Sequence, residues 1–172
     1  MSTQKLINIF VVDDNEIFML ALKTDIETVF ENTLLKVHLF ETGEKCMEQF
    51  RQILPDLVIL DFHLNTKYPK AANGLEVLKW IKNDNPETSV IMLTTEDNID
   101  VAVKLLENGA SDYIVKTETQ FKKINYSLVN MLKIIETKEY EKKYMQSLTG
   151  FIICLTLLVT ITIAVLIKSN QI

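Results

Sequence analysis

Five residues of this chain carry the groups that phosphoryl chemistry uses: Asp13, Asp14, Asp61, Thr94 and Lys116. They are far apart in sequence, so they act together only if the fold brings them to one place. Three carboxylates at one edge repel each other, and their proximity raises at least one pKa unless a cation compensates. A hard divalent ion such as Mg2+ (or Mn2+) is the natural compensation, because it takes oxygen ligands and keeps several waters. Asp13, Asp14 and Asp61 supply part of that shell, Thr94 adds a hydroxyl, and Lys116 adds a fixed positive charge. Such a set suits phosphoryl transfer, where catalysis is mostly positioning and charge neutralisation. Asp61 follows the most apolar strand pattern and is the best-placed nucleophile. A single Asp at a strand end is more often a turn or helix-capping residue; the reading rests on all five standing at strand ends together.

The elements that must position them follow from periodicity. Leu6–Val12 reads as a buried strand ending at Asp13-Asp14-Asn15, followed by a helix from Ile17 to about Glu31. Val37–Phe40 is a second strand, and Cys46, Met47, Phe50 and Ile53 mark a helix broken by Pro55. Leu57–Leu60 is the third strand, ending at Asp61; after a polar loop, Asn73-Gly74 opens a helix closed near Asp84–Pro86. Ser89–Leu93 ends at Thr94, a helix over Ile99–Leu106 stops at Asn108-Gly109, and Tyr113–Val115 ends at Lys116. Ile124, Leu128, Met131, Leu132 and Ile135 mark a fifth helix. Five alternations predict an α/β fold, a doubly wound five-stranded parallel sheet with helices on both faces. Ligands of such sheets sit outside the carboxyl ends of the strands.

Composition narrows the rest. The 172 residues carry a net charge of −5, which argues against a nucleic-acid partner. Two cysteines, Cys46 and Cys154, make no disulfide framework and read as reduced, inert thiols of a cytoplasmic protein. His38 reads as a packed or edge histidine and Trp80 as core or half-buried. The N-terminus lacks the apolar stretch of a signal peptide.

VVDDN at 11–15, LVILD at 57–61, MLTT at 92–95 and NGASDYIVK at 108–116 stand in an order and spacing that resemble the response-regulator receiver domain of two-component signalling, from about Lys5 to Ile135. The resemblance implies the flavodoxin-like receiver fold and phosphotransfer from a histidine kinase or phosphotransfer protein. It makes Asp61 the phosphoacceptor, places Asp13 and Asp14 in an acidic metal pocket, and assigns the backbone carbonyl of His63 as a main-chain metal ligand. It makes Thr94 the switch hydroxyl, Lys116 the phosphoryl contact and Tyr113 an aromatic switch. On phosphorylation Thr94 is expected to be drawn in and Tyr113 to turn inward, biasing the face of the fourth helix, fifth strand and fifth helix. Three positions depart from the family pattern. Thr117 stands where Pro is usual, so a trans peptide is expected. Thr95 replaces a smaller residue beside the switch hydroxyl. The stretch from Asp61 to Gly74 is longer, with Asn65–Lys70 as an extra polar segment, read first as a tolerated surface insertion.

The last part is different in kind. Leu148–Ile167 has no charge and no Pro, and as a helix it spans about 30 Å, the thickness of a hydrocarbon core. Lys138, Lys142 and Lys143 with Tyr140 and Tyr144 precede it, and Lys168 follows it. This pattern predicts a transmembrane helix in the cell membrane with the preceding domain on the cytoplasmic side. Thr156, Thr160 and Ala164 form a small-residue stripe compatible with helix packing and a homodimer, or equally with lipid. The expected organisation is a receiver at 5–135, a helical connector at 136–147, the transmembrane helix at 148–167 and a short tail at 168–172. Whether the fifth helix runs unbroken into the span is left open by the sequence.

The function expected is that of a membrane-tethered single-domain response regulator. It is not an enzyme beyond self-catalysed phosphotransfer and dephosphorylation at Asp61, and it signals by phosphorylation-dependent protein contact or phosphorelay. The alternative is a metal-dependent phosphohydrolase of the haloacid-dehalogenase type. That family wants Asp-x-Asp after the first strand, where this chain has Asp13-Asp14-Asn15.

Overall fold

The computed structural model describes residues 5–169 apart from 65, 66 and 68, and the side chains of these except 164, 165 and 167–169. Asn65, Thr66 and Tyr68 of the inserted loop, Ala164 of the stripe, the Lys168 side chain and the end of the tail therefore lie outside the described residues.

Continuous apolar runs rich in β-branched residues form strands buried on both faces. These are β1 (Ile7–Val12), β2 (Leu35–Phe40), β3 (Leu57–Asp61), β4 (Ser89–Thr94) and β5 (Asp112–Val115). All neighbours pair parallel, in the order β2-β1-β3-β4-β5. β2 begins two residues before the sequence pattern places it, because Leu35 pairs with Ile7 at the foot of β1. The helices between them are α1 (Glu16–Val29), α2 (Gly43–Ile53), α3 (Gly74–Asp84) and α4 (Ile99–Glu107), and α5 (Gln120–Ser169) follows β5.

Local chemistry sets these boundaries. Asn15, Thr42, Asn73 and Asn98 each cap a helix by accepting from a backbone N–H of its first turn. Asn73 and Glu76 do so reciprocally. α1 stops short of Glu31, since Phe30 already has non-helical torsions while its N–H still reaches the Ile26 carbonyl. Gly109 takes φ +94° after α4, a conformation that suits glycine.

The alternation of strand side chains divides the core in two. Phe10, Val12, Val58, Leu60, Val90 and Met92 pack with Cys46 and Phe50 of α2, Val77, Leu78 and Ile81 of α3, and Leu105 of α4. Ile9, Val11, Leu57, Ile59, Ile91 and Leu93 are buried too, and period 2 sends them to the opposite face. Met19, Leu22 and Ile26 of α1 and Ile124 and Leu128 of α5 are buried as well. Burial pushes the Cys46 thiol up to about 12, which keeps it inert. His38 sets its Nε2 3.2 Å from Asn8 Oδ1 and its ring beside Phe10, as a packed histidine does. Trp80 is 38% exposed, more open than a core position.

By contacts the chain divides into two units at 131/132. In the second, 136–147 and the residues up to 169 are helical, both belonging to α5. The side chains of Phe151, Ile152, Leu155 and Leu158 are exposed there, and so is Cys154. The hydroxyls of Thr156, Thr160 and Thr162 donate to the carbonyls of Ile153, Leu157 and Val159, which satisfies them without water. This helix is long and apolar enough to cross a membrane.

α3 starts directly against the end of β3. The Gly74 N–H donates to the Phe62 carbonyl at 3.0 Å, and a Cβ at Gly74 would collide with the Asp61 carbonyl oxygen and the Phe62 Cα. Both obstacles are backbone, so the collision cannot be relieved by a rotamer change. Gly74→Ala is expected to cost about 1–3 kcal/mol by overpacking, read as a lowered midpoint in chemical denaturation; an unchanged midpoint would show that this junction yields.

Candidate functional site

Parallel register carries the five residues to one edge. Val12 lies beside Leu60, Asp61 beside Leu93, and Thr94 beside Val115. The residues just past β1 and β5, Asp13 and Lys116, therefore stand level with the ends of β3 and β4. This edge is also where the strand order reverses, between β1 and β3.

Asp13, Asp14 and Asp61 each bring one carboxylate oxygen within 4.8 Å of the others. Asp13 and Asp61 are buried and Asp14 is half-buried. Lys116 places its Nζ 2.7 Å from Asp13 Oδ2 and 3.0 Å from Asp61 Oδ1, and 4.9 Å above the Phe18 ring. Asp13 Oδ1 accepts from the Asn15 N–H at 2.8 Å, and Asp14 Oδ2 from the Lys67 N–H at 2.7 Å. Asp61 Oδ1, though paired with the ammonium, has no hydrogen-bond partner of acceptable geometry among the described residues.

The electrostatics follow. Burial and the Asp61 charge raise the Asp13 carboxyl above its usual range, against the opposing pull of Lys116. Burial disfavours the Lys116 ammonium, but Asp61 and Asp13 outweigh it and hold its pKa above the ordinary lysine value. One ammonium faces three carboxylates, the donor set is all oxygen, and a buried Asp61 oxygen lacks a hydrogen bond. A hard divalent cation fits these residues.

Thr94 is fully buried, and its Oγ1 accepts from the Glu96 N–H at 3.0 Å. The Lys116 N–H donates to the Thr94 carbonyl at 2.7 Å, which fixes the two residues to each other. Tyr113 packs partly against the core, and its hydroxyl donates to the Glu96 carbonyl at a long 3.5 Å. Burial and the nearby Asp97 charge raise its phenol pKa. The His63 Nε2 lies 3.2 Å from Glu96 Oε1. Thr95 is exposed, and no peptide among the described residues is cis, Thr117 included.

Sequence reasoning missed two participants. Glu96 touches Thr94, Tyr113 and His63 at once, yet in sequence it is one charged loop residue among several. Lys67 contributes its main-chain amide, a group every residue but proline possesses, so no pattern could single it out.

The sequence matches the family described as "Response regulator receiver domain" over residues 9–125. The chain belongs to the response-regulator receiver family. It is 30% identical over 126 residues to the transcriptional regulatory protein ZraR of Klebsiella oxytoca, covering 73% of this chain and 26% of that protein. It is 28% identical over 82 residues to the luminescence regulatory protein LuxO of Vibrio campbellii, covering 48% of this chain and 17% of that protein. The chain thus spans about a quarter or less of the length of these relatives. Among solved structures, the BeF3-activated DrrB receiver domain superposes with a TM-score of 0.63 at 26% identity, covering 75% of this chain and 99% of that one. A receiver domain of a LuxO repressor protein from Vibrio parahaemolyticus gives 0.67 at 24% identity, over 78% of this chain and 96% of that one, and shows the same fold. Receiver domains are generally phosphoacceptors rather than enzymes and bind Mg2+ at an acidic Asp cluster; in this chain Asp13, Asp14 and Asp61 are grouped.

The raised Asp13 pKa has a stability consequence in this receiver. A carboxyl held above its ordinary pKa favours folding below that ordinary value, and this contribution is lost as pH rises through the folded-state value. At neutral pH without metal the Asp13 charge therefore weakens the fold. Asp13→Asn is expected to raise the thermal midpoint in EDTA by a few degrees, on the scale of about 1 kcal/mol, while abolishing the further rise that Mg2+ gives the native sequence. A lower midpoint for Asp13→Asn in EDTA contradicts this.

Proposed function

We propose that this receiver is a membrane-tethered response regulator, phosphorylated on Asp61 by a histidine kinase or phosphotransfer protein. The observation that carries the reading is the buried Asp61 carboxylate, 3.0 Å from Lys116 Nζ and grouped with Asp13 and Asp14, in a chain of this family. In the step proposed, an Asp61 oxygen attacks the phosphorus of a phosphohistidine. The O–P bond forms as the P–N bond breaks, and the electron pair returns to the imidazole nitrogen. Lys116 neutralises charge on the phosphoryl oxygens, and the Thr94 hydroxyl donates to one of them. Asp13, Asp14 and Asp61, with the His63 carbonyl, are the groups that would hold Mg2+ (or Mn2+). When bound, that ion supplies charge neutralisation at the phosphoryl oxygens. Tyr113 is the aromatic group that responds.

The organisation proposed is a receiver at 5–135, a connector at 136–147, the span at 148–167 and a tail at 168–172. Support for the span is its length, the absence of charge, its exposed apolar side chains and the Lys and Tyr residues before it. Those lysines favour a cytoplasmic receiver. Output is a protein contact or onward transfer of the phosphoryl group. Ile99, Val103 and Leu106 of α4 expose an apolar stripe at helical spacing, which suits a downstream protein or a second copy. ZraR is a transcriptional regulator; DNA control is a property of that protein, and nothing in these acidic 172 residues favours contact with nucleic acid.

Two outcomes test this reading. The full chain in detergent should take up phosphate from acetyl phosphate only with Mg2+ or Mn2+, and Asp61→Asn should abolish the label; undiminished label in that variant removes the nucleophile. In cells, the full chain should resist alkaline carbonate extraction from membranes, and its recovery in the soluble fraction without detergent overturns the anchor.

A further inference from the structure

The loop between β3 and α3 is one of the places where this chain departs from the receiver pattern, and its described residues are tied down. Leu64 is fully buried in the core. The Lys67 N–H donates to Asp14 Oδ2 at 2.7 Å, and the Lys67 Nζ lies 3.9 Å from Glu41 Oε1, just before α2. The Ala72 N–H donates to Glu44 Oε1 in the first turn of α2 at 2.8 Å. Lys67, in the segment expected to be a tolerated surface addition, and Ala72 after it are therefore fastened to the start of α2 and, through the Lys67 amide, to the acidic pocket itself.

Asp14 needs such a tie more than its neighbours do. Asp13 and Asp61 are buried and share the Lys116 ammonium, whereas Asp14 is half-buried and is in no described ion pair. A half-exposed carboxylate samples several rotamers, and each one away from the pocket withdraws an oxygen from the cluster. An ionised carboxylate has about four acceptor positions. The Lys67 amide occupies one and leaves the rest for a cation. Hydrogen bonds to a ligating carboxylate from outside the coordination sphere orient it and strengthen the site.

We propose that Lys67 is a positioning strap: its main-chain amide holds the Asp14 carboxylate in the pocket and so raises the affinity of the cluster for a divalent cation. The proposal rests on the metal-pocket reading above. It requires the amide, not the ammonium, so any residue except proline serves at position 67. By linkage, cation binding and the Lys67–Asp14 hydrogen bond stabilise each other.

The test uses the full chain in detergent micelles, with Mn2+ binding read from the electron paramagnetic resonance signal of the free ion. Lys67→Ala keeps the amide and should bind Mn2+ within about twofold of the native sequence. Lys67→Pro removes the amide and should weaken binding by about 10–100-fold, the usual effect of losing such a support. Equal or tighter binding by Lys67→Pro overturns the strap, as does equal weakening in both variants. Hydrogen exchange of the native chain decides independently of how Lys67→Pro folds. The Lys67 amide should exchange more slowly when Mg2+ is added, and Asp13→Asn should remove that slowing. Unchanged or faster exchange on adding Mg2+ means that the loop does not help the cation. Failure of the pocket is distinguishable: the native chain would then bind no Mn2+, whereas failure of the strap alone leaves native binding intact.

Discussion

Three carboxylate oxygens within 4.8 Å of one another, with one ammonium between two of them, form the constraint on which the rest of this structure depends. Left to itself the cluster would relax by spreading or by taking up a proton, and the raised Asp13 pKa records that tendency. The sheet resists the first response. β1 and β3 are paired and apolar up to the residues that carry the charges, so the backbone beneath Asp13 and Asp61 has no room to move. Gly74 brings the start of α3 against the Asp61 carbonyl. A cation and a phosphoryl group, one positive and the other bringing new negative charge for Lys116, are the ligands that such a cluster accommodates.

The same edge connects chemistry to the surface. Thr94 and Lys116 are bound to each other through a backbone hydrogen bond, and Thr94 is bound through its hydroxyl to Glu96. Glu96 in turn meets Tyr113 through its carbonyl and His63 through its carboxylate. Glu96 therefore joins Thr94, the loop after β3 and an aromatic side chain on β5. Tyr113 is held by one long hydrogen bond and partial packing, a loose attachment for a large side chain. On α4, Ile99, Val103 and Leu106 remain exposed.

The second unit follows a different logic. From residue 140 to 163 its helix leaves every side chain exposed, and its threonines at 156, 160 and 162 satisfy their hydroxyls on carbonyls of the same helix. A helix that is apolar all round and lacks protein neighbours leaves about 30 Å of greasy surface, which is unfavourable in water and favourable in lipid. The receiver needs none of these residues for its sheet, so the two parts meet separate physical demands in one chain.

Much of this was legible in the residues themselves. Alternating strand and helix periods, with Asp13, Asp61, Thr94 and Lys116 each at the end of an apolar run, determined the doubly wound sheet and the edge where the site lies, because parallel pairing brings strand ends together whatever the loops do. The greasy stretch from Leu148 was equally plain, since hydropathy is a sum over residues and needs no partner. What only the tertiary structure decided are contacts that depend on loop conformation and on backbone groups. The insertion after Asp61 looked like surface until the Lys67 amide was found on Asp14, and Glu96 looked like one acid among many until three neighbours converged on it. Main-chain donors are common to every residue but proline, and a loop's path is set by where its ends are pinned, here Leu64 in the core and Ala72 on Glu44. Neither leaves a periodic or compositional trace, so the carboxylates could be read from the sequence while the groups that hold them in place could not.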